Sequence, residues 1–382
     1  MVTDLPGYPL RVLHVRPRLG IGGATEYLIR LAESQANAGY HVVIASGGGD
    51  WLRRIAGFAR SYDRLPLTPY LGSGKRAPNI PGLLASGLQL AGIIRAEQID
   101  LVNTHHRFAA LAARLASRLT GTPVVTTLQE VPWRNRGLTR FSLGTQAITM
   151  SAMMKRFVID VCDIAPDRVT VIPIGIDIPA PLSIDRRRQL LAELRLDGAA
   201  PIIVSVGRLV SRKGHMYLIR ALPEVIRRYP DVQVVLVGDG EERATLEREA
   251  QALGVADRVT FAGARSDAVD LMALADFTAL PSLEEEFGIV ITESFSCGKP
   301  VVATTVGGIP EHVRSMENGI LVPPRDSRAL AEAIIFLLDH PNMVRQFGDC
   351  ARRMVEQQYT RQRFLERTEA VYRAAQMREV GR

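Results

Sequence analysis

A chain of 382 residues is long for one hydrophobic core and comfortable for two domains, and its 47% hydrophobic and 23% charged residues are ordinary for a soluble globular protein. The three cysteines, Cys162, Cys297 and Cys350, are odd in number and far apart, which argues against a disulfide framework or a zinc knuckle and suits a reducing compartment. The net charge of +7 is unevenly spread: residues 1–180 hold 20 Lys+Arg against 12 Asp+Glu, and the remainder holds 27 against 28.

The N-terminal stretch "MVTDLPGYPLRVLHV" lacks the basic start and apolar run of a secretory signal, and "LLASGLQLAGII" falls short of the ~20 residues that cross a bilayer. A cytoplasmic protein is expected. The basic half has no aromatic-and-basic RNA motif and no zinc-finger spacing, so nucleic acid is not an expected partner. An anionic lipid surface or a phosphorylated substrate fits its charge.

In chain order, "RVLHV" (Arg11 to Val15) has the pattern of a strand, "RPRLGIGG" that of a glycine-bearing loop, and "ATEYLIRLAESQANAG" that of a helix closed by Gly39. The strands "HVVIAS", "IDLVNTH", "PVVTTL" and "QAITMS" follow, with "RFAALAARLASRLTG" a helix ending at Gly121. "WLRRIAGFARSYDR" (Trp51 to Arg64) has the composition of a basic amphipathic helix, and "VPWRNRGLTRF" (Val131 to Phe141) mixes aromatic residues with arginines. Both could lie on a membrane or simply pack by their apolar faces.

"IPAPLSIDRRRQLLAELRLDGAAP" has the character of a connector, after which a second series opens with "IIVSVG", "VQVVLVG", "RVTFAG", "FTAL" and "PVVATT", each followed by a helical stretch. The segment from Arg361 to Met377 is one more helix. Short β-branched runs alternating with helices predict parallel sheets covered on both faces, hence an α/β protein of two doubly wound, Rossmann-like domains with a cleft between them. The expected division is 1–180, 181–360, and a C-terminal helix and tail at 361–382 whose return to the first domain is left open.

Ligands of such sheets sit beyond the carboxyl ends of the strands. Those ends carry Gly22 and Gly23, His105 and His106, Gln129 and Glu130, Arg208 to Gly214, Gly238 to Gly240, Ala264 and Arg265, Pro281 to Gly288, and Gly307 and Gly308. Arg208 and Lys213 offer a planar fork and a point charge, suited to a diphosphate. No G-x-G-x-x-G follows the first strand and no G-x-x-x-x-G-K-[ST] occurs, which disfavours a nicotinamide site and P-loop phosphoryl transfer. With no Asp-x-Asp pair, no metal is expected, and cationic side chains and backbone dipoles would stand in for one.

Glu285 and Glu293 stand eight residues apart around "FGIVIT". Together with "GRLVSRKG", "VIPIGID" and "GKPVVATTVGGIPEHV", in order and at these spacings, this pattern resembles the GT-B-fold glycosyltransferases, in particular the retaining nucleotide-sugar transferases of family 4 (glycosyl transferases group 1). The resemblance runs over the whole chain and is strongest from Val169 to Pro324.

The resemblance implies that Glu285 binds hydroxyls of the donor sugar and Glu293 the ribose. It places Arg208 and Lys213 on the phosphates, Gly22 and Gly23 near the diphosphate, and Arg265 in the segment lining the nucleobase pocket. Phe287, Gly288 and Ile289 belong to the same donor-binding motif, and it implies a helix for "GIVIT", which on propensity alone would be a strand. His105 matches a histidine beside the reacting sugar, the competing reading being a strand-end histidine satisfied by backbone. Gln129 stands where the family often has histidine. Glu284 and Glu286 have no family role and are expected on a solvated rim.

The implied activity is metal-independent, retaining transfer of a sugar from a nucleoside-diphosphate donor, UDP or GDP, with no further cofactor. The expected acceptor is a hydroxyl-bearing glycan or lipid-linked molecule of the cell envelope, at the inner face of the membrane. A nucleotide-sugar epimerase of the same architecture and a silent nucleotide-sugar-binding subunit are the alternatives.

Overall fold

The computed structural model describes residues 9–20, 22–67, 79–130 and 136–380. By contact the chain divides into Met1–Gly175 with Arg361–Arg382, and Ile176–Thr360. The break thus falls at Gly175/Ile176, ahead of the expected 180/181, and the C-terminal helix groups with the first unit.

The first unit alternates β1 (Arg11–Arg16), α1 (Gly23–Asn37), β2 (His41–Ser46), α2 (Leu52–Ile55), β3 (Arg60–Tyr62), α3 (Ile80–Ala96), β4 (Leu101–Thr104), α4 (Arg107–Thr120), β5 (Val124–Leu128), α5 (Arg136–Ser142), β6 (Gln146–Thr149), α6 (Ala152–Cys162) and β7 (Val169–Val171). The second holds α7 (Ile184–Leu194), β8 (Ile202–Val206), α8 (His215–Arg228), β9 (Gln233–Val237), α9 (Arg243–Ala252), β10 (Val259–Gly263), α10 (Ala268–Leu274), β11 (Phe277–Leu280), α11 (Ile289–Ser296), β12 (Val301–Thr304), β13 (Gly319–Val322), α12 (Ser327–Asp339) and α13 (Pro341–Gln358). The last helix, α14 (Arg361–Val380), packs on α1, β5 and β6.

Both sheets are wholly parallel, in the orders β3-β2-β1-β4-β5-β6-β7 and β10-β9-β8-β11-β12-β13. Each reverses direction once, between β1 and β4 and between β8 and β11, the position in such sheets where ligands are generally bound. Burial on both faces explains the continuous apolar strands. Leu13 and Val15 pack under α3 and α4 beside Val102, Ala109 and Ala113, while Ile203, Val234 and Leu236 pack against Leu218 and Leu222 of α8 and Ile334 of α12.

Three local outcomes differ from propensity. The run "GIVIT" is the start of α11, because Ile291 and Phe295 are fully buried one turn apart and Gly288, at φ 85, supplies the left-handed entry. Trp51 to Arg64 is not an amphipathic helix: only Leu52–Ile55 is helical, and Arg60–Tyr62 pairs with β2 as an edge strand. Of Val131 to Phe141, residues 131–135, with Trp133 and Arg134, lie outside the described residues, and the rest begins α5.

The segment that approached a membrane span is α3. Its solvent face carries Ile80, Leu84 and Leu88, 56%, 51% and 63% exposed, at four-residue spacing. Among the described residues no helix is long and apolar enough to cross a membrane.

Candidate functional site

In the second unit the reversal is closed by backbone. The loop after β8 turns through a 3-10 segment, Ser211–Lys213, that ends at Gly214 with φ 68. A Cβ on Gly214 would lie 2.0 Å from the carbonyl oxygen of Pro281, so only glycine lets this loop approach the one after β11. The amides of Leu283 and Glu284 both donate to the Arg212 carbonyl, at 2.8 and 3.3 Å. From β12, Gly307 comes so close that a Cβ would stand 1.6 Å from the Glu285 carbonyl oxygen, which also accepts from the Gly308 amide at 3.1 Å.

This scaffold brings two of the expected residues together. Lys213 Nζ lies 2.5 Å from Glu285 Oε2, and the two side chains are only 13% and 10% exposed. Ser282 Oγ donates to the same oxygen at 3.4 Å, and Oε1 accepts from nothing among the described residues. Arg208, on the same loop as Lys213, is exposed and forms no ion pair among the described residues. Gly288 starts α11 without a side-chain cap, and an α-helix start leaves its first N–H groups without intrahelical partners. Glu293 is half-buried on that helix, Glu284 is exposed and Glu286 half-buried.

Two further expected donor residues have side chains that are already engaged. The Phe287 ring is 2% exposed and packs edge-on against His312 at 4.2 Å, so only its backbone can meet a ligand. Arg265 is bound to Glu193 and to Asp267, with Arg186 bridging Asp267 and Asp270. These carboxylates raise the Arg265 pKa and hold its guanidinium between α7 and the start of α10. Ile289, half-buried, is the first residue of α11.

In the first unit, Gly22 caps α1 and accepts from the amides of Thr25 and Glu26, and Gly23 is the first helical residue. His105 is fully buried, and both ring nitrogens are engaged: Nε2 lies 3.0 Å from His14 Nδ1, and Nδ1 lies 3.4 Å from Gln129 Nε2. His14 Nε2 in turn meets Gln35 Oε1 at 2.6 Å. That oxygen can only accept, so His14 carries its proton on Nε2, and His105 must then donate from Nε2 and accept at Nδ1 from the Gln129 amide.

The relay continues at both ends. Arg16 Nη1 donates to Gln129 Oε1 at 2.7 Å and to the His105 carbonyl at 2.9 Å. Gln35 Nε2 and Asn103 Nδ2 donate to the Tyr372 hydroxyl of α14 at 3.3 and 2.8 Å, and Thr127 Oγ1 donates to Asn103. Burial holds both histidines neutral: the His14 pKa falls to about 4, and that of His105 well below the ordinary value. His106 points its Nδ1 at the Phe108 amide as the N-cap of α4, its pKa also pushed down by burial to about 4.

Of the two adjacent histidines, His105 turns inward, where side chains rather than backbone engage both ring nitrogens, and His106 caps α4. Sequence inspection did not single out Arg16, His14, Gln35 or Tyr372. Their only signal was polarity inside segments otherwise patterned as buried.

The family model described as Glycosyl transferases group 1 matches residues 186–354, and that described as Glycosyltransferase Family 4 matches residues 21–179. A D-inositol 3-phosphate glycosyltransferase of Salinispora tropica is 31% identical over 358 residues, covering 83% of this chain and 74% of the relative. The N-acetyl-alpha-D-glucosaminyl L-malate synthase of Bacillus anthracis is 26% identical over 76% of this chain and 78% of its own length. Among solved structures, a glycosyltransferase from Rickettsia africae ESF-5 superposes with a TM-score of 0.84 at 22% identity, over 96% of this chain and 99% of the other. Anabaena HepE in complex with UDP gives 0.81 at 24%, over 96% and 100%. At such identities the two structures speak to the fold.

Proposed function

The chain belongs to the family 4 glycosyltransferases of group 1, sugar-transferring enzymes of GT-B fold, and on that premise we propose that it moves a sugar from a nucleoside-diphosphate donor to a hydroxyl acceptor with retention at the anomeric carbon. The observation that carries this reading is the Lys213–Glu285 pair at the strand-order reversal of the second unit, with Arg208 exposed on the same loop. A diphosphate and a sugar hydroxyl are together what such a pair can bind. The phosphate would draw Lys213, and the carboxylate oxygens of Glu285 would accept from vicinal hydroxyls.

As the glycosidic bond lengthens, charge collects on the departing diphosphate. Lys213, Arg208 and the first N–H groups of α11 would stabilise it without a metal ion. Glu293 would hold the ribose, and the leaving phosphate would help deprotonate the acceptor, so no protein nucleophile is required. UDP or GDP is the proposed carrier, and the UDP complex of the Anabaena neighbour supports the former.

The acceptor is proposed to be a lipid-linked or envelope glycan reached at an anionic membrane surface. The apolar face of α3 supports this, along with the arginines of α3, α4 and α5 (Arg95, Arg107, Arg114, Arg118, Arg136 and Arg140), which are accompanied by no carboxylate in those helices. Thermal unfolding with a panel of UDP-, GDP- and ADP-sugars identifies the donor, since bound ligand raises the midpoint. The anomeric coupling in the product reports stereochemistry. An inverted product, or epimerised donor without any acceptor, would overturn the reading.

A further inference from the structure

Arg16 closes β1 at the strand-order reversal of the first unit, and its guanidinium is half-buried. Its five N–H donors divide unequally. Nε donates to the Arg18 carbonyl at 3.1 Å, and Nη1 gives both hydrogens, to the His105 carbonyl and to Gln129 Oε1. Nη2 donates to nothing among the described residues, and it is not among the enclosed side-chain atoms that lack a partner. Nε and Nη1 are thus engaged, and Nη2 alone is open among the described residues.

No carboxylate lies within ion-pair distance of Arg16 among the described residues. Other well-covered arginines are paired: Arg30, 10% exposed, with Glu26, and Arg265, 14% exposed, with Glu193 and Asp267. The nearest compensating charge on Arg16 is that of Glu130, an exposed residue, and burial lowers the Arg16 pKa in spite of it. Holding a cation out of water without an anionic partner costs free energy that a ligand can return. The adjoining His105 and His106 are neutral and Arg107 is a second cation beside His106, which leaves the exposed Glu130 as the one acid acting on Arg16 among the described residues.

Orientation is also fixed. The Gln129 carbonyl that receives Arg16 belongs to an amide whose nitrogen must donate to His105, and the His14–Gln35 bond sets that direction. Rotation of Gln129 would place two donors, or two acceptors, face to face at both contacts. The relay therefore holds the guanidinium in one pose, with Nη2 presented.

We propose that Arg16 binds an anionic group, carboxylate or phosphate, carried by the acceptor beside its reacting hydroxyl. The inference rests on the glycosyl-transfer reading and narrows its acceptor to an acid. Lys213 and Arg208 of the second unit answer the diphosphate of the donor, and Arg16 of the first unit answers a separate anion.

The test is calorimetric titration of the full chain with glycerol 3-phosphate, glycerate and glycerol, three probes that share hydroxyls and differ in the anion. Saturating UDP or GDP, whichever binds, keeps the second-unit site filled. Glycerol 3-phosphate and glycerate should each bind at least 10-fold more tightly than glycerol, and the stronger of the two names the anion. Arg16→Gln should remove that preference, a loss of about 10- to 100-fold, while nucleotide affinity stays within about twofold. Arg16→Lys, which keeps the charge and loses the fork, should retain part of it and serves where the glutamine variant unfolds.

Equal binding of all three probes by the wild type overturns the proposal. So does an unchanged preference in a folded Arg16 variant, or loss of nucleotide binding there, which would assign Arg16 to the donor. Failure of every nucleotide to bind counts against the donor reading alone, and the anion series is then run on Lys213→Ala.

Discussion

The two sheets share one strand order over six strands, to which the first adds β7, yet the loops at their reversals are joined by different chemistry. In the second unit an ion pair, Lys213 with Glu285, links the loops after β8 and β11. In the first, hydrogen bonds run inward from the Arg16 guanidinium through the neutral Gln129, His105 and His14 to Gln35, from the ends of β1 and β4. An ion pair keeps two charges ready for a ligand of mixed character and lets each neutralise the other until it arrives. A neutral relay cannot supply charge, but it fixes tautomer and direction. The division of labour is then a charge pair in the second unit and, in the first, a single cation, Arg16, held in one pose by neutral groups.

The largest test of that division is removal of charge. Lys213→Ala and Arg208→Ala should each lower turnover by roughly 100-fold or more, the scale for losing a preorganised donor to developing charge. Excess chelator should leave the wild-type rate unchanged. Initial rates decide it: abolition by chelator, or near-normal rates in both variants, would end the electrostatic assignment.

Next come the glutamates. Glu285→Gln keeps size and one carbonyl acceptor but loses the charge, costing about 1.5–3 kcal/mol, roughly 10- to 150-fold in kcat/KM. On the Lys213→Ala background the same change should cost less, because the pair acts as a unit. Glu284→Gln and Glu286→Gln should stay near wild type, and Glu293→Gln should chiefly weaken nucleotide affinity. Similar losses at Glu284, Glu285 and Glu286 would point to a collective charge effect instead.

These sites were legible in the sequence to different depths. Lys213, Glu285 and their loops could be named, since glycine spacing and acid spacing are local signals. That the two charges meet depends on β8 lying beside β11, and the 70-odd intervening residues carry no sign of it. Strands such as "HVVIAS" were plain, whereas Arg60–Tyr62 was hidden by its arginine and short length, which an edge strand tolerates because one side faces water. Helix α11 was legible only by resemblance, because tertiary burial of Ile291 and Phe295 overrides β-branched propensity. Of the relay only His105 and Gln129 were named, and their connection was not legible. The relay joins β1, β4, β5, α1 and α14, and "RPRL" looks like any solvated turn.

A smaller effect separates the units by pH. Burial takes the pKa of His14, His106, His215 and His312 from 6.5 to about 4, and that of His105 well below 6.5. Between those values the unfolded chain takes up protons that the folded chain refuses. Stability is therefore full above pH 6.5 and falls as pH drops through the window, by about 1.4 kcal/mol per histidine per pH unit. Hydrogen exchange at pH 7 and pH 5 should show β1 and β4 opening before β8, because three of the five histidines lie in the first unit. Unchanged exchange in both sheets would mean that the relay is not held neutral.

The smallest expected effect concerns surfaces. On α13 of the second unit the solvent face carries charged residues such as Arg345, Arg353 and Glu356, whereas α3 of the first turns Ile80, Leu84 and Leu88 outward. Nearby, Arg95 reaches the Leu119 carbonyl and Arg114 the Phe141 carbonyl, so guanidinium groups flank further exposed apolar side chains, Leu119 at 45% and Phe141 at 70%. Apolar side chains framed by cations suit the headgroup region of an anionic bilayer, where charge would draw the protein in and the stripe would insert shallowly. Binding to vesicles rich in anionic lipid should weaken steeply with salt, because screening acts on the arginines. Leu84→Gln and Leu88→Gln should each weaken it about fivefold, corresponding to partial burial of one leucine at ~1 kcal/mol, and should leave the salt dependence intact. Vesicle cosedimentation separates the two contributions. Equal recovery on neutral and anionic vesicles at low salt would remove the charge term, and unaltered binding by the double leucine variant would move the contact away from α3.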